Sequence, residues 1–286
     1  MDKINDIIAN ETSGIDYYSH KYLCDSGDRV GIDYDDNQNI EWKEYGETER
    51  HTNPINLKKA VEIRKNRESI FKFFLDGSRQ TYKATDMSFG ENIYPIVGGQ
   101  VGVGCCMRIN GQIKPLEAQK NQTYFLVSVP DKAFSSRGWE QHSIAKKLLN
   151  EINDSLKSKR GSLQSLYFSG LLIYNTNKDD KFMSKGIAKI HEFMVEKERE
   201  LVQDLAISGK LDEDSYLIKD GSLDYQRVSP RENPKALNLS DGRVLNYYRR
   251  VVGVSKSFDP TKCLVKGGGS KSNIVAKLKL FAIASI

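Results

Sequence analysis

The clearest pattern in the chain is a set of apolar runs in its middle, separated by polar turns. Residues 70–76 predict a first strand, residues 93–109 a second and residues 123–130 a third. The second run contains several glycines, which indicate bulges or the close packing of a neighbouring element. The Asn-Gly dipeptide after Ile109 predicts a hairpin into a further strand. This part of the chain therefore predicts a sheet.

Helical periodicity is strongest in the second half of the chain. In residues 139–156 apolar side chains recur every four positions, and residues 186–207 give the clearest helical pattern. Residues 57–69 predict a shorter helix. Residues 163–176 are apolar enough for either a helix or a strand. Strands are predicted in "SYLIKD" and at the end of "LNYYRRVVGVSKSF".

The two ends of the chain differ from its middle. Residues 1–56 are polar and rich in Asp and Asn, so we predict an irregular N-terminal extension ahead of a main domain formed by residues 57–286. The last ten residues, "KLKLFAIASI", have the pattern of a strand that stops abruptly. We therefore expect the sequence to be a fragment and the main domain to be truncated at its C-terminus.

Composition narrows the function classes only slightly. The 286 residues are 38% hydrophobic and 28% charged, as in a globular protein, and the net charge of +5 permits a nucleic-acid partner without requiring one. No apolar run reaches the roughly 18 residues of a membrane helix, and the start does not resemble a signal peptide. The four Cys and four His lack zinc-ligand spacing. We expect a cytoplasmic protein that has no membrane association.

The tripeptide Asp-Gly-Ser follows an apolar run twice, with its acid at Asp76 and at Asp220. Strand ends in α/β sheets commonly carry site residues, because the sheet holds the side chain while the adjoining loop stays open. A glycine after the acid lets the backbone turn with a positive φ. Turn chemistry alone explains one Asp-Gly pair, whereas two at matched strand ends suggest carboxylates that meet at one site.

A third acid follows from the phase of the helix in residues 186–207. Glu198 falls on the apolar stripe between Met194 and Leu201, whereas Glu196 and Glu200 fall to its side and remain alternatives. A carboxylate on the buried face of a helix is unfavourable unless a cation or a donor compensates it. The cation could be an Arg or Lys of a neighbouring element, or a divalent metal held jointly with Asp76 and Asp220.

The residue types favour a hard metal ion. Carboxylates without a His or Cys cluster select Mg²⁺ or Mn²⁺ rather than zinc. Two such ions can activate a water and stabilise the leaving oxygen of a phosphodiester. Basic residues that could neutralise phosphate are Arg79, Arg249, Arg250 and Lys256, although each alone could equally be a solvated surface charge.

The order of these motifs resembles the NurA nuclease family. The resemblance spans residues 71–258 and depends mainly on "LIKDGSLDY" followed by "VVGVSKSF". It implies an α/β, RNase H-like fold with a mixed central sheet and flanking helices. It also implies Mn²⁺-dependent DNA degradation by a homodimer docked on a HerA-type hexameric ATPase, in DNA-end processing or anti-phage defence.

The resemblance also assigns roles to residues. Asp76 matches the first metal-binding acid, Asp220 the acid of the second tripeptide, and Glu198 the acid on the helix. These three are the expected catalytic and metal-binding residues, while Lys256, with Arg79 and Arg250, would contact nucleic acid. A non-catalytic DNA-binding or scaffold subunit of the same fold is the main alternative, and a small-molecule enzyme is a further one.

Overall fold

The computed structural model describes residues 2–17, 21–24, 55–65, 67–117, 121–158, 166–177, 181–221, 223, 246–254 and 282–283. The chain divides into two compact units. The first unit comprises Met1–Asp36 and Leu75–Gly209, and the second comprises Asn37–Phe74 and Lys210–Ile286. This division differs from the boundary after residue 56 that the sequence suggested.

Four helices lie before or between groups of strands along the described chain, and alternation of single strands with helices is found in residues 122–220. The helices are α1 (Asp2–Thr12), α2 (Lys58–Arg64), α3 (Trp139–Lys157) and α4 (Phe182–Ile207). The strands before α3 are β1 (Ile15–Tyr17), β2 (Tyr22–Leu23), β3 (Ile55–Asn56), β4 (Phe71–Phe89), β5 (Asn92–Ile109), β6 (Gln112–Pro115) and β7 (Gln122–Pro130). The later strands are β8 (Phe168–Tyr174), β9 (Tyr216–Asp220), β10 (Val251–Val254) and β11 (Ala282–Ile283).

The first unit contains a mixed sheet in which β4, β5, β7 and β8 lie side by side in that order. Strand β7 is antiparallel to β5 and parallel to β8. The hairpin from β5 into β6 turns at Asn110 and Gly111, both of which have positive φ, as an Asn-Gly turn predicts. The predicted α/β class with a mixed sheet and flanking helices is therefore confirmed.

The second unit contains a parallel pair formed by β9 and β10, and an antiparallel pair formed by β3 and β11. The first residues of β4 lie beside β9, where the Tyr216 backbone N–H donates to the Ile70 carbonyl at 2.7 Å. The predicted strand "SYLIKD" is confirmed as β9, and the segment "LNYYRRVVGVSKSF" contains β10 at Val251–Val254, while its last four residues lie outside the described residues.

One face of the first unit's sheet packs against α1 and α3. Leu148 and Ile152, on the predicted four-residue stripe of α3, are fully buried with Ile96 of β5. Ile8 of α1 is fully buried in the same cluster. The prediction that the start of the chain is an irregular appendage is therefore wrong for α1, because its apolar face completes this core.

The opposite face of the sheet packs against α4, and glycines bring the two elements close together. A Cβ on Gly99 of β5 would lie 2.7 Å from Cγ2 of Ile190, and a Cβ on Gly186 of α4 would lie 2.8 Å from Cγ2 of Val97. Both distances are shorter than carbon atoms tolerate, so each glycine is needed for the approach. The prediction of close packing at the glycine-rich strand is confirmed.

The two Asp-Gly-Ser tripeptides have different backbone structures. Strand β4 continues through Asp76 and Gly77 for 19 residues in all, so the predicted strand end at Asp76 is wrong. Strand β9 does end at Asp220, and Gly221 turns with φ +95°. Gly221 therefore forms a turn in the second tripeptide, whereas Gly77 of the first tripeptide lies within a strand.

None of the described helices is both long enough and apolar enough to cross a membrane.

The buried position of α1 gives a stability prediction. We expect Ile8→Ala to lower the free energy of unfolding by about 2–5 kcal/mol, because the change removes buried methyl groups and leaves a cavity. The matched control is Ile15→Ala, whose side chain is 62% exposed and whose loss should cost less than about 0.5 kcal/mol. Urea denaturation measures both, and equal losses in the two variants would contradict the placement of α1 in the core.

Candidate functional site

A polar cavity of about 250 Å³ opens on the first unit's sheet. Its lining residues are Asp76, Ser78, Gly102, Val103, Gly104, Asn121, Gln122 and Thr123. They belong to β4, β5 and β7 and to the residue before β7. Among them Asp76 is the one ionisable residue, so the cavity combines a single negative charge with neutral hydrogen-bonding groups.

Strand alternation places the cavity on the face opposite α4. Gly99 of β5 faces α4, so Gly102 and Gly104 face the other way. On β4, Ser78 lies on the same side as Gly102, because a Cβ on Gly102 would lie 3.0 Å from the Ser78 hydroxyl. Asp76 shares that side and is exposed. The two glycines make room for polar side chains, since the Ser78 hydroxyl lies in front of Gly102 and the Asn121 amide oxygen in front of Gly104.

Asn121 fixes the rim of the cavity. Its Oδ1 accepts a hydrogen bond from the Cys105 backbone N–H at 2.9 Å, and its Nδ2 donates to the Leu116 carbonyl at 2.7 Å. A Cβ on Gly104 would lie 2.7 Å from the same Oδ1. Sequence analysis missed Asn121, although Asn beside a strand often hydrogen-bonds to nearby backbone groups.

Glu198 lies on the other side of β4, where α4 packs. It is 3% exposed, whereas Glu196 and Glu200 are only partly buried, so the helical phase predicted its burial correctly. A Cβ on Gly77 would overlap a carboxylate oxygen of Glu198 and lie 3.1 Å from Cγ of Met194. The glycine of the first tripeptide thus makes room for Glu198.

The structure therefore places Asp76 and Glu198 on opposite faces of β4. Gly77 faces Glu198, and its neighbour Asp76 points the other way because successive residues of a strand alternate. In the described part of the chain, no group of three or more His, Cys, Asp or Glu side chains could hold a metal ion. Of the predicted acids, Asp76 is the one that faces the cavity.

The oxygen-bearing side chains of the cavity suit a hard cation that takes its remaining ligands from waters and substrate phosphates. Asp76 supplies a carboxylate, and Ser78 and Thr123 supply hydroxyls. Mg²⁺ commonly binds through one or two carboxylates together with waters and substrate phosphates. Asp76 therefore fits a single-carboxylate site for Mg²⁺ or Mn²⁺.

The alternative helix acid Glu200 belongs to a separate cluster at the C-terminal half of α4. Its carboxylate pairs with Lys197 Nζ at 2.7 Å. The same Lys197 ammonium lies over the Tyr124 and Phe193 rings, 5.8 Å and 5.4 Å from their centroids. Burial raises the pKa of Tyr124. Glu200 is thus occupied in neutralising a lysine.

The predicted nucleic-acid residues differ in their surroundings. Arg79 lies two residues beyond Gly77 on β4, so alternation places it on the α4 side, and its Nη1 is buried. That position faces away from the cavity. Lys256 lies outside the described residues.

Asp220 and Arg250 belong to the second unit. Asp220 is the partly buried last residue of β9. The Arg250 carbonyl accepts a hydrogen bond from the Leu217 backbone N–H at 2.9 Å, which joins the start of β10 to β9.

A charged turn precedes β9. Hydrogen bonds from the Ser215 hydroxyl and from the Asp214 backbone N–H lower the pKa of Asp212, and the nearby positive charges of Lys72 and Arg250 lower it further. Arg250 therefore interacts electrostatically with Asp212, a carboxylate of its own unit.

Comparisons with known proteins add no family assignment. No protein-family model matches the chain. No curated protein matches it either. The resemblance to NurA nucleases therefore stays a prediction based on the motifs quoted above.

The position of Asn121 leads to a stability prediction. We expect Asn121→Ala to lower the free energy of unfolding by about 1–3 kcal/mol, because the Cys105 N–H and the Leu116 carbonyl lose their partner. The control is Gln100→Ala at an exposed position of β5, which should change it by less than about 0.5 kcal/mol. Denaturant titration compares the two, and a neutral Asn121→Ala would show that the amide does not hold the rim.

The hydrogen bond to Asp212 gives a pH prediction. A lowered pKa means that the folded state gains stability above the ordinary pKa of Asp, and that this gain is lost as the pH falls through the lowered value. Ser215→Ala should therefore raise the Asp212 pKa and shift acid unfolding to higher pH. Ser215→Thr keeps the hydroxyl and serves as the control. An unchanged Asp212 titration in Ser215→Ala, followed by NMR, would contradict this.

Proposed function

We propose that the protein is a DNA nuclease that uses Mn²⁺ or Mg²⁺ to hydrolyse phosphodiester bonds, with the RNase H-like architecture of NurA nucleases. The observation that carries the proposal is the exposed Asp76 carboxylate at a cavity lined by hydroxyl and amide side chains. The order of the sequence motifs supports it as well. The mixed α/β sheet is compatible with the proposed architecture.

Three side chains of the cavity have chemistry that would serve phosphodiester hydrolysis. Asp76 would hold the metal ion, and the Ser78 and Thr123 hydroxyls would donate hydrogen bonds to phosphate oxygens. Gly102 and Gly104 make room for the Ser78 hydroxyl and the Asn121 amide, which present polar groups at the cavity. A divalent ion held here supplies Lewis-acid stabilisation of the charge that develops on the phosphate.

The other two predicted acids, Glu198 and Asp220, are assigned differently in this proposal. Glu198 is not assigned as a ligand, because it is buried on the opposite face of β4. The role of Asp220 as a second ligand comes from the resemblance to NurA and stays a prediction. The same holds for phosphate contacts by Lys256 and Arg250.

The partners follow from the same resemblance. We propose a homodimer that works with a HerA-type hexameric ATPase in DNA-end processing or anti-phage defence, in the cytoplasm. The glycine-rich segment "KGGGSKS" lacks the Gly-Lys-Ser/Thr order of a nucleotide-binding loop. ATP-driven movement along DNA would therefore come from the partner.

A second candidate is a non-catalytic DNA-binding or scaffold subunit of the same fold. It is favoured by the absence, among the described residues, of three grouped metal-binding side chains. In that case the Asp76 cavity would bind the DNA backbone without hydrolysing it. Metal-dependent cleavage distinguishes the two candidates.

The test of the proposal is cleavage of linear DNA in Mn²⁺ and in Mg²⁺. We expect Asp76→Asn to reduce the cleavage rate by about 100-fold or more, because a ligand of a catalytic metal contributes several kcal/mol to the transition state. Asp154→Asn on α3, whose carboxylate is exposed, is the control and should cleave like the wild type. Asp220→Asn tests the ligand that the resemblance assigns.

One result would count against the Asp76 site and another against the nuclease itself. Equal cleavage by the wild type and Asp76→Asn would show that the cavity is not the catalytic site. DNA binding without cleavage by the wild type, in either metal, would favour the non-catalytic subunit instead.

A further inference from the structure

The residues around Gly77 connect α4 with the cavity on the other side of β4. Asp76 and Ser78 flank Gly77, and both side chains line the cavity. Gly77 itself is held from the α4 side by the Glu198 carboxylate and by Cγ of Met194. Glu198 therefore packs against β4 at the residue that separates the two cavity side chains.

A buried charge at this position requires compensation. Removing a carboxylate from water is unfavourable unless an opposite charge or hydrogen-bond donors accompany it. Arg79 is two residues from Gly77 and so on the same face of β4, and its Nη1 is buried. The guanidinium thus lies on the side of the strand on which α4 presents Glu198.

We propose that Glu198 and Arg79 form a charge pair between α4 and β4, and that this pair sets the position of Asp76 through Gly77. Glu198 is then a positioning residue and not a metal ligand. Arg79 is its counter-ion and not a phosphate contact. The effect on catalysis rests on the proposed nuclease function, whereas the contact and the pair do not.

The first experiment tests the contact alone, by a double-mutant cycle in the full chain. Gly77→Ala should lower the melting temperature by roughly 5 °C, because its Cβ overlaps Glu198. In the Glu198→Ala background, where that space is free, the same change should cost less than half as much. Equal costs in both backgrounds would overturn the contact.

The second experiment tests whether Glu198 binds metal. Mn²⁺ affinity, measured by calorimetry, should change by less than about 2-fold in Glu198→Gln, which keeps the size of the side chain against Gly77, and should fall at least about 10-fold in Asp76→Asn, which removes the proposed ligand. A comparable loss in both variants would make Glu198 a ligand and overturn the positioning role.

The third experiment separates positioning from simple packing. Glu198→Ala should lower kcat by roughly 10- to 100-fold while KM for DNA stays within about 2-fold, because a misplaced carboxylate affects the reaction more than binding. Glu198→Gln keeps the side chain's size, so it should recover part of the lost kcat. If kcat is unchanged in Glu198→Ala, the positioning role is wrong.

The fourth experiment assigns Arg79. Arg79→Gln should lower the melting temperature, and its effect should be less than additive with that of Glu198→Gln. DNA affinity and its salt dependence should equal those of Arg137→Gln, a control at an exposed arginine of the same unit. A weaker, less salt-dependent complex at an unchanged melting temperature would make Arg79 a phosphate contact instead.

These arms distinguish the two proposals. If the wild-type protein cleaves no DNA, the proposed function is wrong, and so is the proposed effect of Glu198 on catalysis. The double-mutant cycles at Gly77 and Arg79 would still decide whether the contact and the charge pair exist.

Discussion

The candidate site depends on one contact, the seating of the Glu198 carboxylate against the bare Cα of Gly77. A side chain at that point of β4 would overlap the carboxylate and force it to move. The contact also fixes which residues of the strand face α4 and which face the open cavity. Since the side chains of a strand alternate, Asp76 and Ser78 must then point away from the helix.

Glycines of the neighbouring strand β5 make room for side chains on both of its faces. Gly99 lets Ile190 of α4 come close to the sheet, which builds the buried side. On the other side Gly102 accommodates the Ser78 hydroxyl and Gly104 the Asn121 amide, whose hydrogen bonds to the backbone hold the rim of the cavity. The same residue type thus gives apolar packing against α4 and polar packing at the cavity.

The elements of the fold could be predicted largely from periodicity, as the long strands β5 and β7 and the four-residue stripe of α3 show. The burial of Glu198 also followed from helical phase. The strand end at Asp76 was predicted wrongly, because the sequence Asp-Gly-Ser is compatible both with a turn and with the interior of a strand. Only the packing of α4 shows that Gly77 makes room for a carboxylate. Asn121 was missed because its partners, Cys105 and Leu116, meet it only through the β5–β6 hairpin.

Strand β4 separates the exposed Asp76 from the buried Glu198. A crystal structure of the protein soaked with Mn²⁺, analysed by anomalous scattering, tests this separation. We expect a manganese peak at the usual ligand distance of about 2.0–2.6 Å from an Asp76 carboxylate oxygen, with the Glu198 carboxylate on the other side of the strand. A manganese ion coordinated by Asp76 and Glu198 together would contradict it.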